Sequence, residues 1–343
     1  MEEETLVYVE RDKLRELFKK KLTQAGLPEV QADKTADLMI FADERGIHSH
    51  GSVRMQYYAE RISKQGYNLE PSFEFTQNGP SAGTYFGDNA VGHYVAYQAM
   101  EEAITMAEKS GIGMVGVKEM GHSGAIGYFA EQAAKRGMVA ITVCQSDPMV
   151  VPYGGTKPYF GTNPIAFAAP RQSGEPILFD MATTVQAWGK ILDARSKHKS
   201  IPDTWAVDNQ GEPTTDPFEV AALLPVAGPK GYGLMMMVDI LAGSLLGLPF
   251  GQHVTSMYKD LSQYRRLGQF HIVINPAYFG DETLFLEKVS EMVDELHDIK
   301  PAQGFEQVYY PGEIQETVKH RYAKSGIPVA ESIYDYLVSE QLY

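Results

Sequence analysis

Between Gly92 and Cys144 the chain passes twice from a helical to a strand-like period, and that order restricts the fold more than any other feature. Gly92 to Lys109 has apolar residues at helical spacing and stops at Gly111, whereas Gly113 to Val117 is short, apolar and β-tolerant. Ala125 to Lys135 returns to helical spacing, and Met138 to Cys144 reads as a strand again. Such alternation predicts a mixed α/β architecture. A literal Gly-x-Gly-x-x-Gly lies inside the segment, at Gly111, Gly113 and Gly116. A dinucleotide fingerprint needs a strand before its glycines and a helix after them, so that helix N-terminal amides meet the pyrophosphate. Here the helix comes first, so a nicotinamide site in this chain must use another fold.

The flanks are helical. Arg11 to Ala25 and Glu29 to Arg45 each have helix composition and a glycine stop, which predicts an opening hairpin of helices. Pro71 to Gly87 is extended and turn-rich, and Ser146 to Pro170 is a Gly- and Pro-rich loop with the aromatic residues of a site wall. Strands are predicted at Ile177 to Phe179 and His271 to Asn275, and helices at Ala187 to Ala194 and Thr283 to Leu296. Leu234 to Phe250, broken by Asp239 and glycines, is too short to span a bilayer and reads as a buried helix. The acidic N-terminus lacks a signal-peptide pattern, and the single cysteine, Cys144, has no intrachain partner; both favour a cytoplasmic protein. A formal charge of −14 argues against nucleic acid, whose binding draws on Lys and Arg. A small anion held by a few converging cations remains compatible.

Four groups of residues carry chemistry. His122 sits between glycines in Glu119-Met-Gly-His-Ser-Gly-Ala-Ile-Gly-Tyr128, where a strand gives way to a helix with Ser123 available as N-cap. Imidazole exchanges a proton near neutrality, so a histidine held there suits acid–base work; a turn histidine satisfied by backbone is the alternative. His50, Arg54 and Tyr58 are spaced four apart and share one face if the stretch is helical. Guanidinium, imidazole and phenol together suit a carboxylate, although a solvated face with Arg54 paired to a glutamate has the same spacing. His48 and His50 lack the further ligands that zinc needs, so no metal is expected. Lys230, in Gly228-Pro-Lys-Gly-Tyr-Gly233, stands at a helix start that favours an anion. Asp147, beside Ser146, could orient an imidazole or a ligand hydroxyl, or cap a turn.

With these residues in hand the chain resembles the malate/L-lactate dehydrogenase family, whose nucleotide fold is unrelated to the Rossmann type. The likeness rests on Gly46-Ile-His-Ser-His-Gly51 with Arg54 and Tyr58, Met120-Gly-His-Ser-Gly124, Pro152-Tyr-Gly-Gly155, Gly161-Thr-Asn-Pro164, Phe179-Asp-Met-Ala182 and Gly228 to Gly233. Cys144 to Pro152, Asp180 to Lys190, Gly228 to Asp239 and Phe305 to Gly312 narrow it to a branch that oxidises a ureido-substituted 2-hydroxy acid. The resemblance implies NAD as cofactor, a homodimer, and a largely antiparallel or mixed sheet between helical terminal parts. It further implies a helical substrate and dimerisation part from residues 1–75 and 298–343, and an NAD-binding sheet domain over 76–297 with a helical insertion around 185–260. His122 matches the family's proton acceptor, and His50, Arg54 and Tyr58 its substrate side. Ser146, Asp180, Met181, Ala182, Lys230, Gly312 and Glu313 match its cofactor segments. Asp147 stands where many relatives carry a small or hydroxyl residue, which marks it as a position that tunes the substrate and weakens transfer of malate, lactate or sulfolactate specificity. A hydrolase built on Ser123 or Ser146 with His122 and Asp147 would need a Gly-x-Ser-x-Gly elbow, which is absent.

Overall fold

A computed structural model describes residues 5–343. The chain opens with strand β1 (Leu6–Val9), then the hairpin α1 (Arg11–Gln24) and α2 (Glu29–Glu44), and α3 (Met55–Ser63). The strand is absent from the sequence reading because four residues show no clear alternation. It is held by a partner far along the chain, β11 (Ile327–Ala330), with Leu6 opposite Ala330. Leu14, Phe18 and Leu22 of α1, Met39 and Ile40 of α2, and Tyr58 and Ile62 of α3 close one core with Ile327 and Val329. The C-terminal elements α9 (Glu313–Ser325) and α10 (Glu331–Val338) flank β11.

The middle of the chain forms a seven-stranded sheet in the order β2-β3-β4-β10-β5-β6-β7. Its strands are β2 (Glu74–Gly79), β3 (Ala82–Phe86), β4 (Ile112–Met120), β5 (Val139–Cys144), β6 (Ile165–Ala169), β7 (Ile177–Met181) and β10 (Leu267–Ile274). Only β3 and β4 run parallel; every other pairing is antiparallel. The largely antiparallel, mixed sheet agrees with expectation. Helix α4 (Gly92–Ser110) packs on β4 and ends at Gly111, whose φ of 81° is the left-handed cap that glycine reaches without strain. The two remaining glycines of the false fingerprint serve packing on opposite faces of β4. A Cβ at Gly113 would lie 1.9 Å from the Ala103 carbonyl oxygen of α4, and one at Gly116 would lie 2.3 Å from Leu246. Helix α5 (Gly127–Ala134) covers β5 and β6. Beyond β7 an excursion carries α6 (Trp188–Ser196), the short pair β8 (Ala206–Val207) and β9 (Ala222–Leu223), and α7 (Pro229–Ala242), while α8 (Glu282–Asp298) follows β10.

Three sequence expectations are corrected. Residues 46–58 are not one helix: two 3-10 turns, His48–His50 and Ser52–Arg54, precede α3. Asp43, buried at the end of α2, accepts hydrogen bonds from the Ser52 amide at 2.7 Å and pairs with the His48 ring at 2.9 Å, which draws the chain back over α2. Ser123 caps no helix, because its hydroxyl donates to Gln269 at 2.7 Å and α5 begins four residues later, with the Gly127 amide donating to Asp180 at 2.7 Å. Leu234 to Phe250 is neither one helix nor wholly buried, since Met235, Val238 and Ala242 face the core while another face is open. Helix α7 stops at Ala242, and Met237, Ile240 and Leu245 are 37%, 49% and 59% exposed.

Candidate active site

Antiparallel pairing gathers three chain ends at one edge of the sheet. Leu267, the first residue of β10, stands opposite Met120, and Gln269 stands opposite Cys144. His122 therefore emerges two residues past the end of β4, Arg265 two residues before β10, and Asp147 three residues past β5, all at the same edge. Helix α4 reaches this edge closely because Gly92 lacks a Cβ, which would lie 2.1 Å from the Gly121 carbonyl oxygen. Helix α3 and the turns before it form the opposite wall.

Across that wall Tyr58 is wholly buried, and its hydroxyl lies 2.8 Å from His122 Nδ1. The His50 ring stacks on His122 with centroids 5.8 Å apart and planes 19° apart, and the edge of His93 faces the same ring at 6.2 Å. Arg54 donates from Nε to the Ser49 carbonyl oxygen at 2.8 Å and from Nη1 to the Tyr258 hydroxyl at 3.0 Å. Among the described residues it pairs with no glutamate. Although the helix that suggested it is replaced by two turns, the predicted cluster of His50, Arg54, Tyr58 and His122 is brought together.

The electrostatics favour a neutral imidazole at His122. Desolvation lowers its pKa well below the ordinary histidine value, and His50, Arg54, His93 and Arg265 all act in the same direction. His50 is held low by desolvation and then by Arg54. Burial raises the Tyr58 phenol above its ordinary value, so it stays neutral and can accept from one donor and donate to another acceptor. In the tautomer whose Nδ1–H donates to the Tyr58 oxygen, His122 Nε2 keeps its lone pair for a proton arriving from the open side of the site.

Asp147 does not orient an imidazole. One carboxylate oxygen is paired with the Arg265 guanidinium and the other accepts the Met257 amide. The sequence reading missed Arg265, and its only local signal is the pair Arg265-Arg266 just before a strand. It also missed Asp43 and His93. An acid closing the apolar run Leu38 to Ala42 is the one sequence clue to Asp43; in the fold it also forces glycine at position 51, where a Cβ would lie 2.0 Å from Asp43 Oδ1.

Most of the residues assigned to a dinucleotide lie on or beside one hydrogen-bonded seam. Ser146 Oγ bonds Thr162 Oγ1 at 2.9 Å, the Thr183 amide donates to the Thr162 carbonyl oxygen at 2.9 Å, and the Val226 amide donates to the Thr183 carbonyl oxygen at 2.9 Å. This seam carries Ser146, the Asp180-Met181-Ala182 segment and Lys230 in the first turn of α7 into one region. Near it a cavity of about 390 Å³ is bounded by Ile47, Phe179, Asp180, Tyr309 and Gly312. Exposed Lys230 at a helix N-terminus suits phosphate, and a cavity lined largely by aromatic and aliphatic side chains suits a ring, so the residues fit an anionic dinucleotide. Glu313 fits less directly. Its oxygens are taken by the Tyr310 amide at 3.1 Å, Gln307 at 3.0 Å and His297 at 2.9 Å, so it shapes the turn that presents Gly312.

Comparison with known proteins agrees with this geometry. Residues 9–338 match the family model described as Malate/L-lactate dehydrogenase. The chain is 56% identical over 335 residues to the ureidoglycolate dehydrogenase (NAD(+)) of Escherichia coli (strain K12), covering 98% of this chain and 96% of that protein. Among solved structures it resembles the sulfolactate dehydrogenase from Methanocaldococcus jannaschii, with a TM-score of 0.90 at 34% identity over 96% of this chain and 95% of that one. It likewise resembles the malate dehydrogenase from Pyrococcus horikoshii OT3, with a TM-score of 0.88 at 34% identity over 97% of this chain and 94% of that one. Matching across nearly its whole length in sequence and fold, the chain belongs to the malate/L-lactate dehydrogenase family of oxidoreductases.

Proposed function

We propose that the protein oxidises (S)-ureidoglycolate to oxalurate with NAD as cofactor. The observation that carries the chemistry is the 2.8 Å bond between the Tyr58 hydroxyl and His122 Nδ1; in the tautomer whose Nδ1–H donates to Tyr58, Nε2 is the free basic atom, within the field of Arg54. Oxidation of a secondary alcohol removes one hydride and one proton, and NAD, when bound, supplies the hydride acceptor. Arg54 holds the substrate carboxylate. His122 Nε2 takes the hydroxyl proton, and Tyr58 accepts from Nδ1–H, so the imidazolium that forms is stabilised where it stands. His50, stacked on His122, steadies the developing carbonyl oxygen. Ser146, Asp180, Met181, Ala182, Lys230 and the turn of Gly312 and Glu313 are the residues that would hold NAD. Holding alcohol and acceptor at attack distance replaces a bimolecular encounter, worth on the order of 7 kcal/mol in favourable cases.

The substrate choice within the family follows the 56% identity to a protein named for ureidoglycolate, against 38% to a malate dehydrogenase from Pyrococcus abyssi. A homodimer belongs to the same proposal. The half-exposed apolar face of α7 with Leu234, Met237 and Ile240, continued by Leu245, is the surface a second copy would cover. The division into a terminal helical part and a sheet domain is supported by a core drawn from the chain's two ends together with Val91, although Leu38, Phe41 and Ala42 of α2 pack into the core of the sheet. No helix among the described residues is long and apolar enough to cross a membrane; a cytoplasmic location stays part of the proposal. The test mixes protein, ureidoglycolate and NAD and follows reduced-nicotinamide absorbance. NADH formation with oxalurate as product supports the reading. Loss of ureidoglycolate without NADH would replace it with a hydrolase, and neither signal would leave a binding protein.

A further inference from the structure

The carbon oxidised in a 2-hydroxy acid bears four substituents. The hydroxyl has His122, the carboxylate has Arg54 and the hydrogen leaves with the cofactor. The fourth substituent, which distinguishes one family substrate from another, has no partner yet. At the same sheet edge stands Arg265, whose side chain is 1% exposed. One of its terminal nitrogens pairs with Asp147, while Nε and Nη1 are buried with no hydrogen-bond partner among the described residues. Two orphaned donors on a buried guanidinium are costly unless a ligand satisfies them. Asp147 keeps spare acceptor capacity, because a carboxylate offers about four lone-pair sites and two are engaged here.

We propose that Arg265 and Asp147 form the subsite that reads the fourth substituent, and that it is built for a neutral ureido group and against a second anion. A ureido group presents one carbonyl acceptor and several N–H donors. Arg265 meets the acceptor and Asp147 meets the donors. A carboxylate or sulfonate in the same place presents acceptors only, so it would satisfy Arg265 and face the Asp147 carboxylate with like charge. Paired, the two residues carry no net charge, which removes the attraction a dianionic substrate would need. This inference rests on the ureidoglycolate reading and sharpens it.

The experiment compares kcat/KM of the wild type, Arg265→Gln and Asp147→Ser on ureidoglycolate, on glycolate, which has hydrogen in place of the ureido group, and on malate. Removing a charged partner from a buried hydrogen bond lowers kcat/KM by about 10- to 100-fold. Arg265→Gln is expected to lose about that on ureidoglycolate and less than about threefold on glycolate. Asp147→Ser leaves Arg265 uncompensated and is expected to move the ureidoglycolate-to-malate ratio at least about tenfold toward malate. NAD affinity and thermal midpoint, measured for each variant, identify a folding failure. In that event Asp147→Asn and Arg265→Lys, which keep volume or charge, supply the same ratios. Equal losses of Arg265→Gln on ureidoglycolate and glycolate, or an unchanged ratio in Asp147→Ser, would overturn the proposal while the function stands. A wild type inactive on ureidoglycolate would overturn both.

Discussion

Replacing Tyr58 by Phe removes one oxygen from the site and little else. The ring is wholly buried and keeps its place beside His93, whose centroid is 5.0 Å away, so packing is nearly conserved. What is lost is the 2.8 Å bond to His122 Nδ1. An unpaired buried donor costs about 1–3 kcal/mol, and the imidazolium formed as His122 takes the proton suffers more than the neutral ring. At about 1.4 kcal/mol per tenfold, kcat should fall about 10- to 100-fold. The acid limb of the kcat profile should move to lower pH, because the charged form of His122 loses its acceptor. NAD affinity should stay within a factor of about two, since Tyr58 lies outside the dinucleotide seam. Pre-steady-state NADH formation reads the chemical step, and a double variant with His122→Asn tests the route. If Tyr58 acts through His122, adding Tyr58→Phe to His122→Asn costs nothing further. An unchanged kcat in the single variant, or fully additive losses in the double one, would refute the positioning role.

Three further outcomes follow from the same geometry. Gly92→Ala puts a Cβ 2.1 Å from the Gly121 carbonyl oxygen, so α4 and the His122 segment must part; a loss of about 2 kcal/mol in denaturant stability with a larger fall in kcat is expected. Asp43→Asn weakens the anchor of the Ser52 amide and His48, and should raise KM for the hydroxy acid about tenfold while NAD affinity holds, as titration of each ligand would show. His93 and His271 are both fully buried and held to about 3 by desolvation, far below the histidine value in the unfolded chain. The unfolded state therefore binds protons first as pH falls. Their contribution is complete above about pH 6.5 and is lost toward pH 3, with about 2 kcal/mol per histidine gone at pH 5. Urea midpoints at pH 7 and 5 measure it, and His93→Phe should reduce the difference.

The parts of the site that were legible in the sequence are those whose partners lie close along the chain or whose chemistry is distinctive. His122 between glycines and the His50, Arg54, Tyr58 spacing survive even though the supporting helix does not, because two tight turns leading into α3 still bring the three side chains onto one wall. The false fingerprint was legible too, since a helix before the glycines excludes a phosphate loop whatever else the fold does. What could not be read is long-range pairing. Asp147 invites a catalytic reading until Arg265, 118 residues away, claims it. Strand β1 exists because β11 lies beside it, and no local period announces four residues at a chain start. The apolar run after Gly233 reads as core because hydrophobicity alone does not say whether a neighbouring helix or a second subunit covers it.

The account turns on His122 as the proton acceptor, and His50 is the residue that could take its place. The most direct measurement is the pH dependence of single-turnover NADH formation in His122→Asn beside His50→Asn, with NAD affinity recorded for each. A general base contributes about 10²- to 10⁴-fold, so His122→Asn should lose about 10³-fold with NAD affinity intact. The wild-type profile should be flat through neutrality and fall only below the ordinary histidine pKa, where the depressed group protonates, and that limb should vanish in His122→Asn. His50→Asn should keep the limb and lose much less. Turnover surviving in His122→Asn and abolished in His50→Asn would contradict the account and reverse the two roles.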